Sequence, residues 1–311
     1  MRIVFMGTPE FAVPSLQALL DAGYDVVGVF TQPDRPAGRG NKLVAGPVKK
    51  LALEKGIPVY QFEKIRRREG REALEALCPD LCVTAAFGQI LSQRILDVPK
   101  MGTVNVHASL LPRHRGSAPI VWSIKMGDAV TGVTTMLTDA GLDTGAMLLR
   151  RETDIGPTET AGELTERLSI MGAELLIETI RGLEAGAIQP VPQNEDEASY
   201  EPMLEKEMAR IDWTADCDSI DHLVRAFHPW PTAFTQFEGG TLKIHAVRPV
   251  PDMAGEPGEV LLADGKRGLY VACGRGAVEV LTLQAPGGKA MEAKAYLRGK
   301  SIPQGGYLGH E

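Results

Sequence analysis

The first 31 residues contain the pattern that most restricts how this chain can fold. Arg2–Gly7 is an apolar run that ends in glycine, and Tyr24–Thr31 is a second apolar run. Between them, from Phe11 to Leu20, apolar residues recur at helical spacing. A strand, a helix and a strand in close succession predict parallel neighbouring strands. We therefore expect an α/β domain built on a doubly wound, mostly parallel sheet.

The carboxyl ends of the predicted strands are where a ligand is expected, because open α/β sheets bind ligands outside those ends. Asp80–Ala86 reads as a buried parallel strand, since it is apolar almost without interruption, and Phe87 and Gly88 close it. The dinucleotide-binding fingerprint requires three spaced glycines after the first strand, whereas Gly7 stands alone there. The sequence thus argues against a nicotinamide cofactor.

A further predicted strand, Thr103–His107, carries two polar side chains on one face. Side chains alternate between the faces of a strand, so Asn105 and His107 point the same way and the two valines point the other way. Polar groups at the end of a buried strand are costly unless they are hydrogen-bonded or used. The apolar turn at residues 109–112 ends in a proline, which marks a loop, and this turn is a candidate wall of a pocket.

Residues 138–145 contain two aspartates and two glycines, and Asp143 can reach back to an imidazole. With Asn105 and His107 it supplies the groups needed when an amine attacks an acyl carbon. An amide donates to the oxyanion, histidine titrates near neutrality, and a carboxylate orients the histidine or relays a proton. The amine is itself the nucleophile, so no serine or cysteine nucleophile is implied. The other interpretation, a hydrogen-bonded core histidine with Asp143 capping a turn, remains open on spacing alone.

Residues 32–47 form a segment rich in proline and glycine that carries Arg35, Arg39 and Lys42. This composition predicts no regular element. Such a loop suits contacts with a phosphate backbone, and a mobile surface linker is the alternative. The net charge of −7 argues against a nucleic-acid coat protein, yet residues 1–120 hold 16 basic and 11 acidic residues. That asymmetry can direct an anionic partner to one face, or it reflects an unevenly charged surface.

Gln189–Glu207 is polar, acidic and proline-bearing, and we place the linker there. The predicted domains are residues 1–189 and 209–311, joined by a linker at 190–208. A short helix at 219–227 follows the linker, and then come short strands with glycine-rich turns. Five short strands predict a small antiparallel barrel. These strands are Thr232–Phe237, Thr241–Val247, Glu259–Ala263, Leu269–Cys273 and Val278–Leu283.

The four cysteines do not form the framework of a disulfide-rich protein in a chain this long. The histidines show no metal-ligand spacing, and no apolar run approaches the roughly 20 residues that span a bilayer. We expect a reduced, cytoplasmic, monomeric protein that has no metal and no membrane contact.

Three motifs, in this order, resemble the folate-dependent formyltransferases. They are Asn105-Val-His107, Ser109-Leu110-Leu111-Pro112 and Gly141-Leu-Asp143-Thr-Gly145. Four further stretches are similar to one family of that superfamily, the methionyl-tRNA formyltransferases. These stretches are Phe5–Phe11, Gln32–Gly40, Ala209–Trp213 and Arg225–Pro231. The resemblance covers nearly the full length of the chain.

This resemblance implies a Rossmann-like formyl-transfer domain and a small OB-like β-barrel domain that helps to hold tRNA. It implies transfer of a formyl group from 10-formyltetrahydrofolate, a co-substrate, to the α-amine of initiator methionyl-tRNA for translation initiation. Asn105 and His107 would stabilise the tetrahedral oxyanion. Asp143 would orient His107 and assist deprotonation of the amine.

The resemblance also implies the binding residues. The turn of Ser109, Leu110, Leu111 and Pro112 matches the folate-contacting turn, and Phe87-Gly88 stands where the family commonly has Tyr-Gly. Arg35, Arg39 and Lys42 match the loop that contacts the tRNA acceptor stem, with Arg39 the most important of the three.

Two other functions are weighed against this one. A formyltransferase for an amino sugar or a small nucleotide would use the same chemistry, but the basic loop and the second domain count against it. A non-catalytic RNA-binding module would keep the Rossmann scaffold without the catalytic residues. The presence of Asn105, His107 and Asp143 argues against it.

Overall fold

The computed structural model describes residues 1–37 and 42–309, which form two compact units. The first unit comprises Met1–Pro119, Val130–Asp154 and Thr165–Glu201, and the second comprises Ile120–Ala129, Ile155–Leu164 and Pro202–Glu311. Residues 190–201 of the predicted linker fall in the first unit and residues 202–208 in the second. The predicted domain limits remain a prediction.

Residues 1–201 contain both strands and helices, and the first 31 residues form the predicted strand, helix and strand. The strands are β1 (Arg2–Gly7), β2 (Asp25–Thr31), β3 (Arg35–Ala37), β4 (Lys42–Val44), β5 (Val59–Gln61), β6 (Leu81–Ala85), β7 (Thr103–His107), β8 (Arg115–Gly116), β9 (Val130–Leu137), β10 (Met147–Asp154) and β11 (Tyr200–Glu201). The helices are α1 (Val13–Asp21), α2 (Pro47–Glu54), α3 (Arg68–Ala76), α4 (Gln93–Leu96), α5 (Pro119–Lys125) and α6 (Ala161–Glu184).

Seven strands form the central sheet of the first unit, in the order β10-β9-β7-β6-β1-β2-β5. The pairs from β7 to β5 are parallel, whereas β9 pairs antiparallel with both β7 and β10. The buried side chains of Ile3, Val4 and Phe5 place β1 in the core. The chain runs outward from β1 to β5 and then returns to β6, so the order reverses between β1 and β6. The predicted α/β class with a parallel-rich sheet is confirmed.

The basic segment at residues 32–47 contains a regular element, so the prediction of none was wrong. β3 and β4 pair antiparallel, with Arg35 opposite Val44 and Pro36 opposite Leu43. A two-stranded ribbon has two open edges, and proline is tolerated where its missing N–H would face an edge. Glycine and proline content predicts irregular backbone, yet the short runs Arg35–Ala37 and Lys42–Val44 pair with each other.

The second unit contains a six-stranded antiparallel sheet, in which β12-β13-β16-β15-β14 is the path and β17 pairs with β16. All five predicted strands are present, with β17 added. The strands are β12 (Ala233–Phe237), β13 (Gly240–Val250), β14 (Val260–Asp264), β15 (Gly268–Ala272), β16 (Ala277–Gln284) and β17 (Met291–Glu292), and the helices are α7 (Cys217–Ala226) and α8 (Ala293–Leu297).

Helix α7 covers the core of the second unit. Asp216 caps its start by accepting a hydrogen bond from the Ser219 N–H. Ile220 and Val224, one turn apart, then pack into the same buried cluster as strand residues such as Ile244. Within the described part of the chain, none of the helices combines the length and the apolar character needed to cross a membrane.

Candidate active site

Strand β7 sets Asn105 beside a threonine of the neighbouring strand. The register pairs Asn105 with Thr84 of β6 on one side and with Met136 of β9 on the other. The Thr84 hydroxyl donates to Asn105 Oδ1 at 2.8 Å. A hydroxyl that donates to the amide oxygen leaves the Nδ2 hydrogens pointing away from it. Because Asn105 is only half-buried, its amide group can donate to a ligand.

His107 uses one ring nitrogen to bind the backbone and keeps the other for the site. Its Nε2 lies 2.9 Å from the carbonyl oxygen of His114. A carbonyl only accepts, so Nε2 carries the hydrogen, and the neutral ring has its lone pair on Nδ1. Nδ1 lies 3.8 Å from Asp143 Oδ1, and His107 is 6% exposed. The imidazole therefore presents Nδ1 to the carboxylate across a gap longer than a hydrogen bond.

The two aspartates of the 138–145 loop have different surroundings. Asp139 accepts hydrogen bonds from the Gly141 N–H at 3.0 Å and from the Thr144 hydroxyl at 2.8 Å, which is the role of a turn former. Asp143 instead accepts the Gly116 N–H on Oδ2 at 2.8 Å and directs Oδ1 toward His107. The structure thus brings Asp143 to His107, and Asn105 lies two residues before His107 on the same face of β7.

Residues 114–116 touch both acid–base partners of the site with their backbone. The carbonyl group of His114 binds His107, and the N–H group of Gly116 binds Asp143. Gly116 has φ +100, and a Cβ there would lie 2.7 Å from the carbonyl oxygen of Glu201, so only glycine fits. Strand β8 pairs with β11 at this point.

Arg115 anchors the same segment to residues 193–200. Its side chain is fully buried, and its Nη1 and Nη2 atoms lie 2.8 and 2.7 Å from the two carboxylate oxygens of Glu195. Its Nε donates to Gln193 Oε1 at 2.9 Å, and Nη1 donates to the Tyr200 hydroxyl at 2.5 Å. The hydrogen bonds to Glu195 raise the pKa of Arg115, and the same bonds lower the pKa of Glu195.

The predicted folate turn is mostly buried. Ser109 and Leu111 have no exposed surface, Pro112 is buried, and Leu110 is half-buried. Thr134 holds the turn, since its hydroxyl donates to the Ser109 carbonyl group at 2.7 Å and accepts the Leu111 N–H at 3.1 Å. Of the four side chains, that of Leu110 has the most surface to offer a ligand. The folate contacts of all four residues remain a prediction.

Phe87 and Gly88 follow β6 at the carboxyl edge of the sheet. The phenyl ring of Phe87 belongs to a core cluster with Met6 and Phe30 and is 5% exposed, which suits a ring without a hydroxyl. Both carbonyl groups accept hydrogen bonds from Gln32 Nε2, at 3.3 Å for Phe87 and 2.9 Å for Gly88. Their backbone is therefore fixed to the end of β2, and their role toward folate stays a prediction.

Two of the three predicted tRNA-binding residues, Arg35 and Lys42, lie in the paired strands β3 and β4, which we call the β3–β4 hairpin. Arg35 is exposed and pairs with Glu63 at 2.6 Å, an ion pair of the kind that contributes about 1 kcal/mol or less. Lys42 begins β4, and Arg39 lies outside the described residues. The exposed apolar side chains of Leu43 and Val44 share this hairpin.

Two of the four cysteines have thiols with a strongly shifted pKa. Burial raises the pKa of the Cys82 and Cys273 thiols to about 12, and Cys78 is the exposed cysteine. Over residues 1–37 and 42–309, no group of three or more His, Cys, Asp and Glu side chains is arranged to hold a metal ion.

The sequence matches known protein families along most of its length. A formyl transferase family matches residues 1–180, and the formyl transferase C-terminal domain matches residues 203–301. Methionyl-tRNA formyltransferase of Trichlorobacter lovleyi is 50% identical over 307 residues, which are 99% of this chain and 96% of that protein. The chain belongs to the methionyl-tRNA formyltransferase family. A second member, from Geobacter metallireducens, is 48% identical over 310 residues, covering 100% of this chain and 99% of that protein.

Solved structures share the fold at low sequence identity. HypX from Aquifex aeolicus in complex with tetrahydrofolic acid has a TM-score of 0.63 at 20% identity, over 96% of this chain and 47% of HypX. The chain thus spans about half the length of HypX. WlaRD, a sugar 3N-formyl transferase, has a TM-score of 0.66 at 19% identity, over 92% of this chain and 97% of WlaRD. These likenesses establish the fold. The resemblance to the methionyl-tRNA formyltransferases noted in the sequence is confirmed by the full-length relatives.

The roles of three side chains that support the site were not predicted from the sequence. Thr84 is a lone polar residue in an apolar strand, a signal that was available. Arg115 follows charged or titratable neighbours in the sequence, and that composition gives no sign that its side chain is fully buried. Gln193 lies in the stretch predicted as a linker, and nothing near it in sequence indicates its contacts with the 143–145 loop.

Proposed function

We propose that this chain transfers the formyl group of 10-formyltetrahydrofolate to the α-amine of initiator methionyl-tRNA, as the family name implies. The observation that carries the proposal is that Asp143 Oδ1 lies 3.8 Å from Nδ1 of His107 at the carboxyl end of β7, with Asn105 two residues earlier on the same strand face. The 50% identity with a methionyl-tRNA formyltransferase over nearly the whole chain supports the choice of acceptor.

In the first step the amine attacks the formyl carbon, and the formyl oxygen takes up negative charge. Asn105 donates to that oxygen through Nδ2, which Thr84 leaves free by occupying Oδ1. One donor of this kind contributes about 100-fold to 1000-fold to the rate. The donor costs no reorganisation during the reaction, because the amide is already oriented.

The proton that the attacking nitrogen must lose passes to Nδ1 of His107. Nε2 is committed to the His114 carbonyl group, so Nδ1 is the nitrogen that exchanges the proton. Asp143 stabilises the resulting imidazolium ion, which in turn lies beside the oxyanion. The carbon–N10 bond then breaks, N10 takes up the proton, and tetrahydrofolate leaves, so that atoms and charge balance.

Folate is proposed to bind against the turn at Ser109–Pro112 and the backbone of Phe87 and Gly88. Both segments follow strands of the parallel part of the sheet, β7 and β6. The switch in strand order next to β6 is the place where open α/β sheets bind ligands. Leu110, which is half-buried, is the apolar contact we expect to matter most.

We propose that the basic segment at residues 32–47 contacts the tRNA acceptor stem through Arg35 and Lys42, which lie in β3 and β4, and through Arg39. The Arg35–Glu63 pair is exposed and weak enough for Arg35 to exchange Glu63 for a phosphate group. An RNA phosphate releases bound counterions when it meets such side chains.

The second unit is proposed to be an OB-like barrel that adds phosphate contacts. Shifts of register in β13, near Ala246, are bulges of the kind that bend a sheet. Although this part of the chain is nearly neutral, five exposed basic side chains lie in the β14–β15 turn and in or after α8. These are Lys266, Arg267, Lys294, Arg298 and Lys300.

Three further proposals concern organisation. We place the domain limits at residues 1–189 and 209–311 with a linker between them. We also place the protein in the cytoplasm, where aminoacyl-tRNA is used, and we expect it to act as a monomer.

Labelled 10-formyltetrahydrofolate incubated with initiator methionyl-tRNA tests the proposal. We expect label on the methionyl amine, and binding of the tRNA that falls steeply with salt. Salt-sensitive binding without transfer would contradict catalysis and favour the non-catalytic module. Label on an amino-sugar nucleotide, with none on methionyl-tRNA, would contradict the proposed acceptor.

A further inference from the structure

Gln193 joins the loop that carries Asp143 to a buried anchor. Its Nε2 donates to the carbonyl oxygens of Asp143, at 2.8 Å, and of Gly145, at 2.7 Å. Its Oε1 accepts the Nε hydrogen of Arg115 at 2.9 Å. A primary amide has two N–H groups and one carbonyl, so both its donors and its acceptor are used.

The anchor holds Gln193 in one position. Arg115 is fully buried, and Glu195 and the hydroxyl of Tyr200 bind its guanidinium group. A guanidinium group with partners on several sides has little freedom to rotate. Arg115 therefore orients the amide of Gln193 through Oε1, on the opposite side of the amide from the bonds to the 143–145 loop.

The conformation of Asp143 depends on this support. Asp143 has φ +54, a left-handed conformation that few residues other than glycine adopt. In this conformation its Oδ2 reaches the Gly116 N–H and its Oδ1 faces His107. Gln193 holds the carbonyl groups of Asp143 and Gly145, and this fixes the peptide planes that follow these two residues. The direction of the Asp143 carboxylate is fixed with them.

We propose that Gln193 is a positioning residue for formyl transfer, which holds the carboxylate of Asp143 within reach of His107. The inference rests on the proposed function. On this proposal the acidic segment at residues 190–208 supports catalysis, a role that a simple linker between domains would not have.

Two substitutions separate the contacts of Gln193. Gln193→Met keeps the length of the side chain and removes every hydrogen bond. Gln193→Glu keeps an acceptor for Arg115 but turns an oxygen toward two carbonyl oxygens. Gln189→Met makes the same change at an exposed glutamine of the same segment and serves as the matched control.

The measurements are kcat, the KM of each substrate, and the thermal midpoint. We expect both Gln193 variants to lose about 10-fold to 100-fold in kcat, because a small displacement of a catalytic group is costly, while both KM values stay within about twofold. Gln189→Met is expected to match the unsubstituted protein.

A double-variant cycle shows whether the loss passes through Asp143. Adding Gln193→Met to Asp143→Asn should cost less than about twofold in kcat, since the carboxylate is already gone. An equal loss in both backgrounds would overturn the inference, because the effect would then be a general one on the fold. If the unsubstituted protein is active and both Gln193 variants have the same kcat as it does, the inference about Gln193 is also overturned. An unsubstituted protein that does not formylate methionyl-tRNA would contradict the proposed function and remove the basis of the inference with it.

Discussion

The Nε2 of His107 donates to the carbonyl oxygen of His114 at 2.9 Å, which leaves Nδ1 as the nitrogen that faces Asp143. One ring nitrogen of His107 therefore holds the ring in place, and the other is available for the reaction. Its orientation is fixed by a backbone group, which no substitution of the His114 side chain removes. The reaction then depends on what surrounds Nδ1 and on how Asn105 is aligned beside it.

The hydroxyl of Thr84 is predicted to align Asn105 for catalysis. Thr84→Val keeps the shape of the side chain and removes the donor to Asn105 Oδ1, so the amide can rotate. We expect kcat to fall about fivefold to tenfold, the worth of one hydrogen bond, with KM values unchanged. Thr84→Ser keeps the hydroxyl and should stay close to the unsubstituted enzyme. Equal losses of kcat in Thr84→Val and Thr84→Ser would show that the packing of the side chain at position 84, and not its hydrogen bond to Asn105, determines the rate.

The β3–β4 hairpin is predicted to supply phosphate contacts. Replacing Arg35, Arg39 and Lys42 together by glutamine should weaken tRNA binding and reduce the slope of log K against log salt by about 2 to 3. The matched control changes the three exposed arginines at 66–68 to glutamine. A slope that falls equally in the control would mean that the charge of the whole face, and not the hairpin, attracts the RNA.

The Arg115–Glu195 pair predicts a dependence of stability on pH. Arg115 lowers the pKa of Glu195 below its ordinary value of 4.5. The stability from this pair is therefore fully present above that value and is lost as the pH falls through the lowered pKa. The difference in unfolding midpoint between the unsubstituted protein and Glu195→Gln should be present at neutral pH and shrink in acid. Glu197→Gln is the control from the same turn, and a difference that grows in acid would contradict the assignment.

The thiols should react unequally. Burial raises the pKa of Cys82 and Cys273 to about 12, and Cys217 is also buried, whereas Cys78 is exposed. We expect a thiol reagent to label one cysteine rapidly in the folded protein and all four in denaturant. Cys78→Ser should abolish the rapid phase. A second rapid phase in the folded protein would show that one of the buried sites opens.

Part of this site follows from the sequence, and part depends on which strands lie side by side. The alternation of Thr103–His107 placed Asn105 and His107 on one face, and the spacing of apolar residues predicted the parallel sheet around them. The Thr84–Asn105 contact depends on the register between β6 and β7, which no local pattern fixes. The Gln193 contact joins residues that are 50 positions apart.

Burial also reverses what a local pattern indicates. Arg113, His114 and Arg115 are a basic run in the sequence, yet the guanidinium group of Arg115 is fully buried and binds Glu195 and Tyr200. A buried charge is tolerated only with such partners, and these come from a segment far along the chain. One acidic residue of that segment, Glu195, binds the buried guanidinium group of Arg115.

The two aspartates of the 138–145 loop offer the most direct test of the account. Asp143→Asn and Asp139→Asn are compared in single-turnover transfer of the formyl group to methionyl-tRNA. We expect a loss of about 100-fold or more for Asp143→Asn, since a group that assists proton transfer is removed. For Asp139→Asn, whose side chain forms a turn, we expect a rate within about twofold. A rate near that of the unsubstituted enzyme for Asp143→Asn, with folding intact, would contradict the proposed role of Asp143.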